Sequence, residues 1–197
     1  MFFRDQFKRL GRALLAAALL LLPFSSAMAA DYAGIYWGSR FPSLEQRYPG
    51  VVFDNESAWR VCTFIVPQTA TGEARLEFKL FDEQLTAVVH KVQGSLEPFM
   101  NEEYLRRYLG GLGQRIKVET KKSPSIHGMT EAVLWDYGEV MVFFQTYPPV
   151  TEKNTPQPAN IIKFVHRPLF NTMMSFIKDN PHGDPDAIGS DFNALEF

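Results

Sequence analysis

Residues 75–81, RLEFKLF, alternate without a break: Leu76, Phe78 and Leu80 on one side, Glu77 and Lys79 on the other. Only a pleated strand sends every second side chain to the same face, so this stretch reads as a strand in a sheet with one wet face. Asp82-Glu83-Gln84 makes a short connection, and residues 85–93, LTAVVHKVQ, run back. This hairpin is the firmest element of the chain.

The same signature recurs. Residues 59–66, WRVCTFIV, are rich in β-branched and aromatic types and stop at Pro67. Residues 115–119 suggest a short strand. Residues 130–136 and 139–147 form a second hairpin turning at Asp136-Tyr137-Gly138, and 160–166 make a last strand. Pro148, Pro149, Pro156 and Pro158 mark a stiff connection between them.

Between the hairpins the period changes. Tyr104, Leu105, Tyr108, Leu109 and Leu112 recur at helical spacing over 99–112, with Asn101 as cap. Glu102 and Glu103 occupy the first turn, and Arg106 and Arg107 follow four residues later, the favourable orientation for ion pairs along a helix. Gly110, Gly111 and Gly113 end it. Residues 169–178, LFNTMMSFIK, fit a short helix or another extended piece, with helix favoured. Near the start, residues 32–50, YAGIYWGSRFPSLEQRYPG, suit a strand at Ile35 and Trp37 and a bend at Gly38. Ser43 and Gln46 form a capping-box pattern for a short helix over Leu44–Tyr48, stopped by Pro49-Gly50.

Hairpins without crossover helices predict an antiparallel sheet. The expectation is one α+β domain over residues 30–178. Its sheet has six or seven strands built from hairpins. One main helix, about 99–112, packs on one face, and a short helix lies near the N-terminus. Residues 179–197 are a turn-rich C-terminal tail. The order of hairpin, glycine-stopped helix and hairpin over residues 75–147 resembles small exported bacterial α+β domains of unknown function. That resemblance implies a fold style and no catalytic residues.

Residues 1–12 hold four basic side chains and one acid, residues 13–22 are wholly apolar, and Ala27-Met28-Ala29 offers small residues where a signal peptidase reads. Residues 1–29 therefore read as a secretory signal, its apolar run about half of the roughly 20 residues a membrane span requires. The expected location is periplasmic or secreted, with no stable membrane insertion after cleavage. The chain carries a net charge of −2, and losing a basic signal makes it more acidic, which disfavours nucleic acid as a partner. One cysteine, Cys62, excludes an internal disulfide.

Chemistry-bearing patterns are sparse. His90, His127, His166 and His182 lack metal-site spacing, and Asp179, Asp184 and Asp186 around His182 read as proline-punctuated turns, so no metal and no cofactor is expected. Cys62 and His90 lie on separate strands, and Asp82-Glu83 and Glu102-Glu103 have turn and helix-start roles, so no catalytic residue is assigned. Candidate contacts for a partner or ligand are the aromatic Tyr36, Trp37, Phe41 and Tyr147. A candidate anion patch comprises Arg106, Arg107, Arg115, Lys117, Lys121 and Lys122, set against the bland reading of a solvated face. The expected function is non-enzymatic: binding an envelope protein or small ligand. The alternative is a periplasmic hydrolase without a recognisable motif, which requires at least two of His90, His127, Asp136, Glu139 and His166 to meet in one pocket.

Overall fold

The computed structural model describes residues 31–57, 60–66, 75–92, 94–122, 131–147 and 160–180. Residues 1–30, including the expected signal segment, His127 and residues 181–197 lie outside these residues. The chain is mixed α+β and antiparallel, as expected, but with more strands than expected. Its main sheet has eight strands, in the order β3-β4-β5-β6-β11-β10-β9-β8. These are β3 (Val52–Glu56), β4 (Val61–Val66), β5 (Arg75–Phe81), β6 (Gln84–Val92), β8 (Lys117–Lys122), β9 (Glu131–Asp136), β10 (Val140–Thr146) and β11 (Asn160–His166). Two four-stranded meanders thus meet at β6 and β11. A second, three-stranded sheet joins β1 (Asp31–Tyr32), β2 (Ile35–Tyr36) and β7 (Leu109–Gly110).

The firm hairpin forms as read, and its turn places Asp82 and Glu83 at φ of 48° and 63°. Two consecutive left-handed residues match the twist of the paired strands. Strand β3 escaped the sequence reading because VFDNE shows no clean alternation. It is an edge strand, exposed throughout and bulged between Phe53 and Asn55.

The main helix is shorter than expected. Glu97–Phe99 is a 3-10 turn, and the α-helix, α2, covers only Glu102–Tyr108. Its cap and ion pairs are those predicted: Asn101 Oδ1 accepts from Tyr104 N at 2.7 Å, and Glu102–Arg106 and Glu103–Arg107 pair at 3.5 and 3.2 Å. Its last expected turn is captured by pairing instead. Leu109 and Gly110 align with Tyr32 and Asp31, and Ala33 N donates to Tyr108 O at 2.6 Å. Glycines at 110, 111 and 113 make helix continuation expensive, and a strand partner offers the same backbone groups another ladder.

The N-terminal helix, α1, spans Phe41–Arg47. Ser43 lies inside it, and Arg40 is the N-cap with no side-chain bond; Pro42 in the first turn sets the start. Helix α3 spans Arg167–Asp179, again with proline in its first turn.

Register sorts the two sheet faces. One row runs Phe53, Phe64, Phe78, Val88, Phe164, Val142, Trp135, Val118 across all eight strands. Its centre is sealed by Tyr32, Leu44 and Leu105 from the small sheet, α1 and α2. The opposite face packs Val61, Phe81, Leu134, Met141 and Phe143 against Phe170 and Met173 of α3. The main helix packs on one face, as expected, and α3 covers the other. No described helix is long and apolar enough to cross a membrane.

Candidate functional site

Two polar constellations stand out, one sealed and one open. The sealed one lies beneath α2. His90 points from β6 into the first face and is 1% exposed. Its Nδ1 lies 3.0 Å from the Tyr104 hydroxyl, and its Nε2 meets the hydroxyl of Tyr32, which is hydrogen-bonded in turn to Tyr48. Tyr108 stacks on Tyr32 at 5.9 Å and meets the His90 ring edge-on at 4.8 Å. Burial drives the His90 pKa down to about 3 and raises that of the Tyr32 hydroxyl well above its ordinary value. Both groups are neutral near pH 7, and a neutral imidazole, donor at one nitrogen and acceptor at the other, satisfies both phenols. This network satisfies buried polar groups in a packed core and gives water no route to His90.

The open constellation lies on the second face, beside α3. A groove of about 260 Å³ has a floor of Leu134, Met141, Phe143 and Phe170. Its rim carries Lys117, Glu119, Asp136, Arg167 and Asn171. Strands β8 and β9 supply one wall. Lys117 and Glu119 share the groove side of β8 because they are two residues apart, and they form an ion pair. Arg167, the first residue of α3, pairs with Asp136 at 2.5 Å, and Asp136 also accepts from Gly138 N at 2.8 Å. Asp136 is thereby oriented by two donors. Arg167 Nε is buried and has no hydrogen-bond partner among the described residues.

The predicted contacts scatter. Tyr36 is 62% exposed at the end of β2. Trp37 turns inward: it stacks on His166 at 5.8 Å, and both its Nε1 and His166 Nδ1 are buried without a partner among the described residues. Phe41 stacks on Phe64 at 4.5 Å. Tyr147 is half-buried beside Ala132. These four aromatics do not share a surface.

Nor do the six cations form one patch. Arg106 and Arg107 are engaged by α2 glutamates. Arg115 lies over the Trp135 ring at 4.2 Å. Alternation along β8 sends Lys117 and Lys121 to the groove face and Lys122 to the other. Of the residues singled out from sequence, Lys117 and Asp136 reach the groove. Arg167, Glu119, Asn171 and the apolar floor were missed, because the groove joins β8, β9, β10 and α3, and no local spacing encodes it.

The set named for a hydrolase is dispersed as well. His90 is sealed on the first face, Asp136 lies in the groove, and His166 is stacked on Trp37, its pKa lowered by burial and only partly restored by Glu139. No hydrogen bond joins any two of them among the described residues. Cys62 is half-buried, and burial foremost, then Glu56 and Glu83, push its thiol pKa up, away from a reactive thiolate. No group of metal-binding residues is found among the described residues; Asp179 ends α3. Compared with known proteins, the chain matches no family model, no curated protein and no solved structure.

Proposed function

We propose that this chain is an exported, non-enzymatic binding protein of the cell envelope, and that it holds an extended segment of a partner protein along β8 and the groove behind it. The observation that carries this reading is the position of the groove directly inside an edge strand. β8 has one strand neighbour, β9, among the described residues, so its outer amides and carbonyls are positioned to pair with an added strand. Val118, on the opposite face of this edge strand, and Ile116 just before it are 51% and 69% exposed, so the strand's outer margin is open to a docked chain. At about 260 Å³ the groove is smaller than the ~300–1,000 Å³ common for whole small-molecule ligands. It suits one or two side chains of a docked strand: an apolar residue on Phe143 and Met141, and an acid toward Arg167 and Lys117.

The test is site-specific photocrosslinking in cells, with the probe at Ile116, Val118, Tyr36 or Phe53 in turn. A discrete partner band from Ile116 and Val118, abolished by Phe143→Glu, supports the reading. Bands from Tyr36 or Phe53 alone overturn it. Export is checked on the same material by N-terminal sequencing, with a start at Ala30 expected and an intact Met1 refuting the signal.

A further inference from the structure

Strand β3 closes one end of the main sheet and β8 the other. Among the described residues each has a single strand partner, β4 and β9 respectively. An edge strand presents a row of backbone N–H and C=O groups that its own sheet leaves unpaired. The two edges differ in charge. β3, VFDNE, carries Asp54 and Glu56 and no cation. β8, KVETKK, carries Lys117, Lys121 and Lys122 against Glu119.

The two edges also match in direction and in face. Every pair of neighbouring strands in the sheet is antiparallel. With eight strands of alternating sense, β3 and β8 run opposite ways. A second copy in the same orientation therefore lays its β3 antiparallel to β8, and each face of the sheet continues from copy to copy. The row on the first face begins at Phe53 and ends at Val118. Phe78, Val88, Phe164 and Val142 in its middle are wholly buried, whereas Phe53 and Val118 are 57% and 51% exposed. Setting the second copy's Phe53 opposite Val118 joins the two open ends of this row. One step along each strand then brings the second copy's Asp54 alongside Lys117.

We propose that β8 takes as its partner β3 of a second copy of this chain, so that copies associate edge to edge and head to tail; this rests on β8 being a docking edge. Charge selects this pairing over the two symmetric ones. Two β3 strands would set Asp54 and Glu56 against their own kind, and two β8 strands would do the same with their lysines. Like charges directly opposite one another destabilise paired strands. A β3–β8 contact is heterologous and leaves one edge open at each end, so assembly continues past the dimer. The bulge between Phe53 and Asn55 interrupts the ladder. The contact is therefore short, depends on charge and on the apolar row, and weakens as salt screens the charges.

The experiment uses the full chain. Two variants carry one cysteine each, Phe53→Cys and Val118→Cys, both with Cys62→Ala, and both are first shown to be native by near-ultraviolet circular dichroism. They are mixed at low salt and oxidised. Mixed disulfides should exceed either homodimer roughly tenfold, against about twofold for random collision. A random ratio, or an excess of either homodimer, refutes the pairing. By analytical ultracentrifugation the natural chain should form species larger than a dimer at low salt that dissociate at high salt. Asp54→Lys with Glu56→Lys should abolish them. A natural chain that is monomeric at low salt at every concentration overturns the self-pairing. If Val118 then photocrosslinks to a different protein in cells, β8 stands as a docking edge with another partner; no product from β8 removes both.

Discussion

Acidifying this protein from pH 7 to pH 5 should weaken it through His90. The ring is 1% exposed, and desolvation lowers its pKa from 6.5 to about 3 in the folded chain. In the unfolded chain the same ring titrates near 6.5. Between these values the unfolded state binds the extra proton, so stability rises with pH; it is fully present above about 6.5 and falls as pH drops toward 3. Linkage puts the loss at about 2 kcal/mol by pH 5 and about 5 kcal/mol below pH 3. With urea m-values of about 1–3 kcal/mol/M, the first figure shifts the midpoint by roughly 1 M. Carboxylates and His166 also titrate here, so the measurement is a comparison. Urea unfolding is recorded at pH 7 and pH 5 for the natural chain and for His90→Gln. The variant is weaker at both pH values but should lose about 2 kcal/mol less between them. An equal loss in both proteins refutes the argument, and so does a His90 ring whose NMR shifts titrate near pH 6.5 in the native state.

Tyr32→Phe removes the hydroxyl that meets both His90 and Tyr48 and leaves buried partners unmatched; a loss of about 1–3 kcal/mol in urea unfolding is expected. Glu77→Gln strips the carboxylate from among Lys91, Lys79 and Arg75; with Glu77 3% exposed and its partners partly hydrated, a cost of about 3 kcal/mol is expected, and a neutral result would deny that the cluster depends on it. Phe78→Ala should cost about 3–5 kcal/mol, because Phe78 is wholly buried mid-row, whereas Phe53→Ala in the same row, at 57% exposure, should cost under about 1 kcal/mol. Gly110→Ala would bring a Cβ within 3 Å of the Asp31 carboxyl, displacing it from Gly34 N; a thermal scan should show a drop worth about 1–2 kcal/mol, and an unchanged midpoint would mean β1 and β7 yield freely.

Local chemistry was readable wherever an element carries its own reason to form. RLEFKLF alternates, so β5 and its hairpin were legible, and the Asn101 cap with its two glutamate–arginine pairs marked α2. The end of α2 was not legible, because Leu109 is compatible with either a last helical turn or a strand beside Tyr32. The choice depends on β1, which lies more than seventy residues away in sequence. Edge strand β3 was missed for the opposite reason: one side of it is solvent, so little hydrophobic pattern is imposed. The groove draws on β8, β9, β10 and α3 together, and local sequence patterns single out only Lys117 and Asp136 among its residues.

By itself the sequence determined the antiparallel hairpins, the capped helix and the α+β class, because alternation, capping and glycine stops act over a few residues. Tertiary structure alone decided which histidine is sealed and which aromatic faces water. His90 and His166 look alike in sequence, yet one lies among Tyr32, Tyr104 and Tyr108 and the other against Trp37. Ile35 packs inward and Tyr36 outward because adjacent side chains on a strand point to opposite sides, and only the position of β2 beside the core says which side is dry. Burial and charge pairing are properties of the assembled sheet, where residues far apart in sequence set one another's solvent exposure.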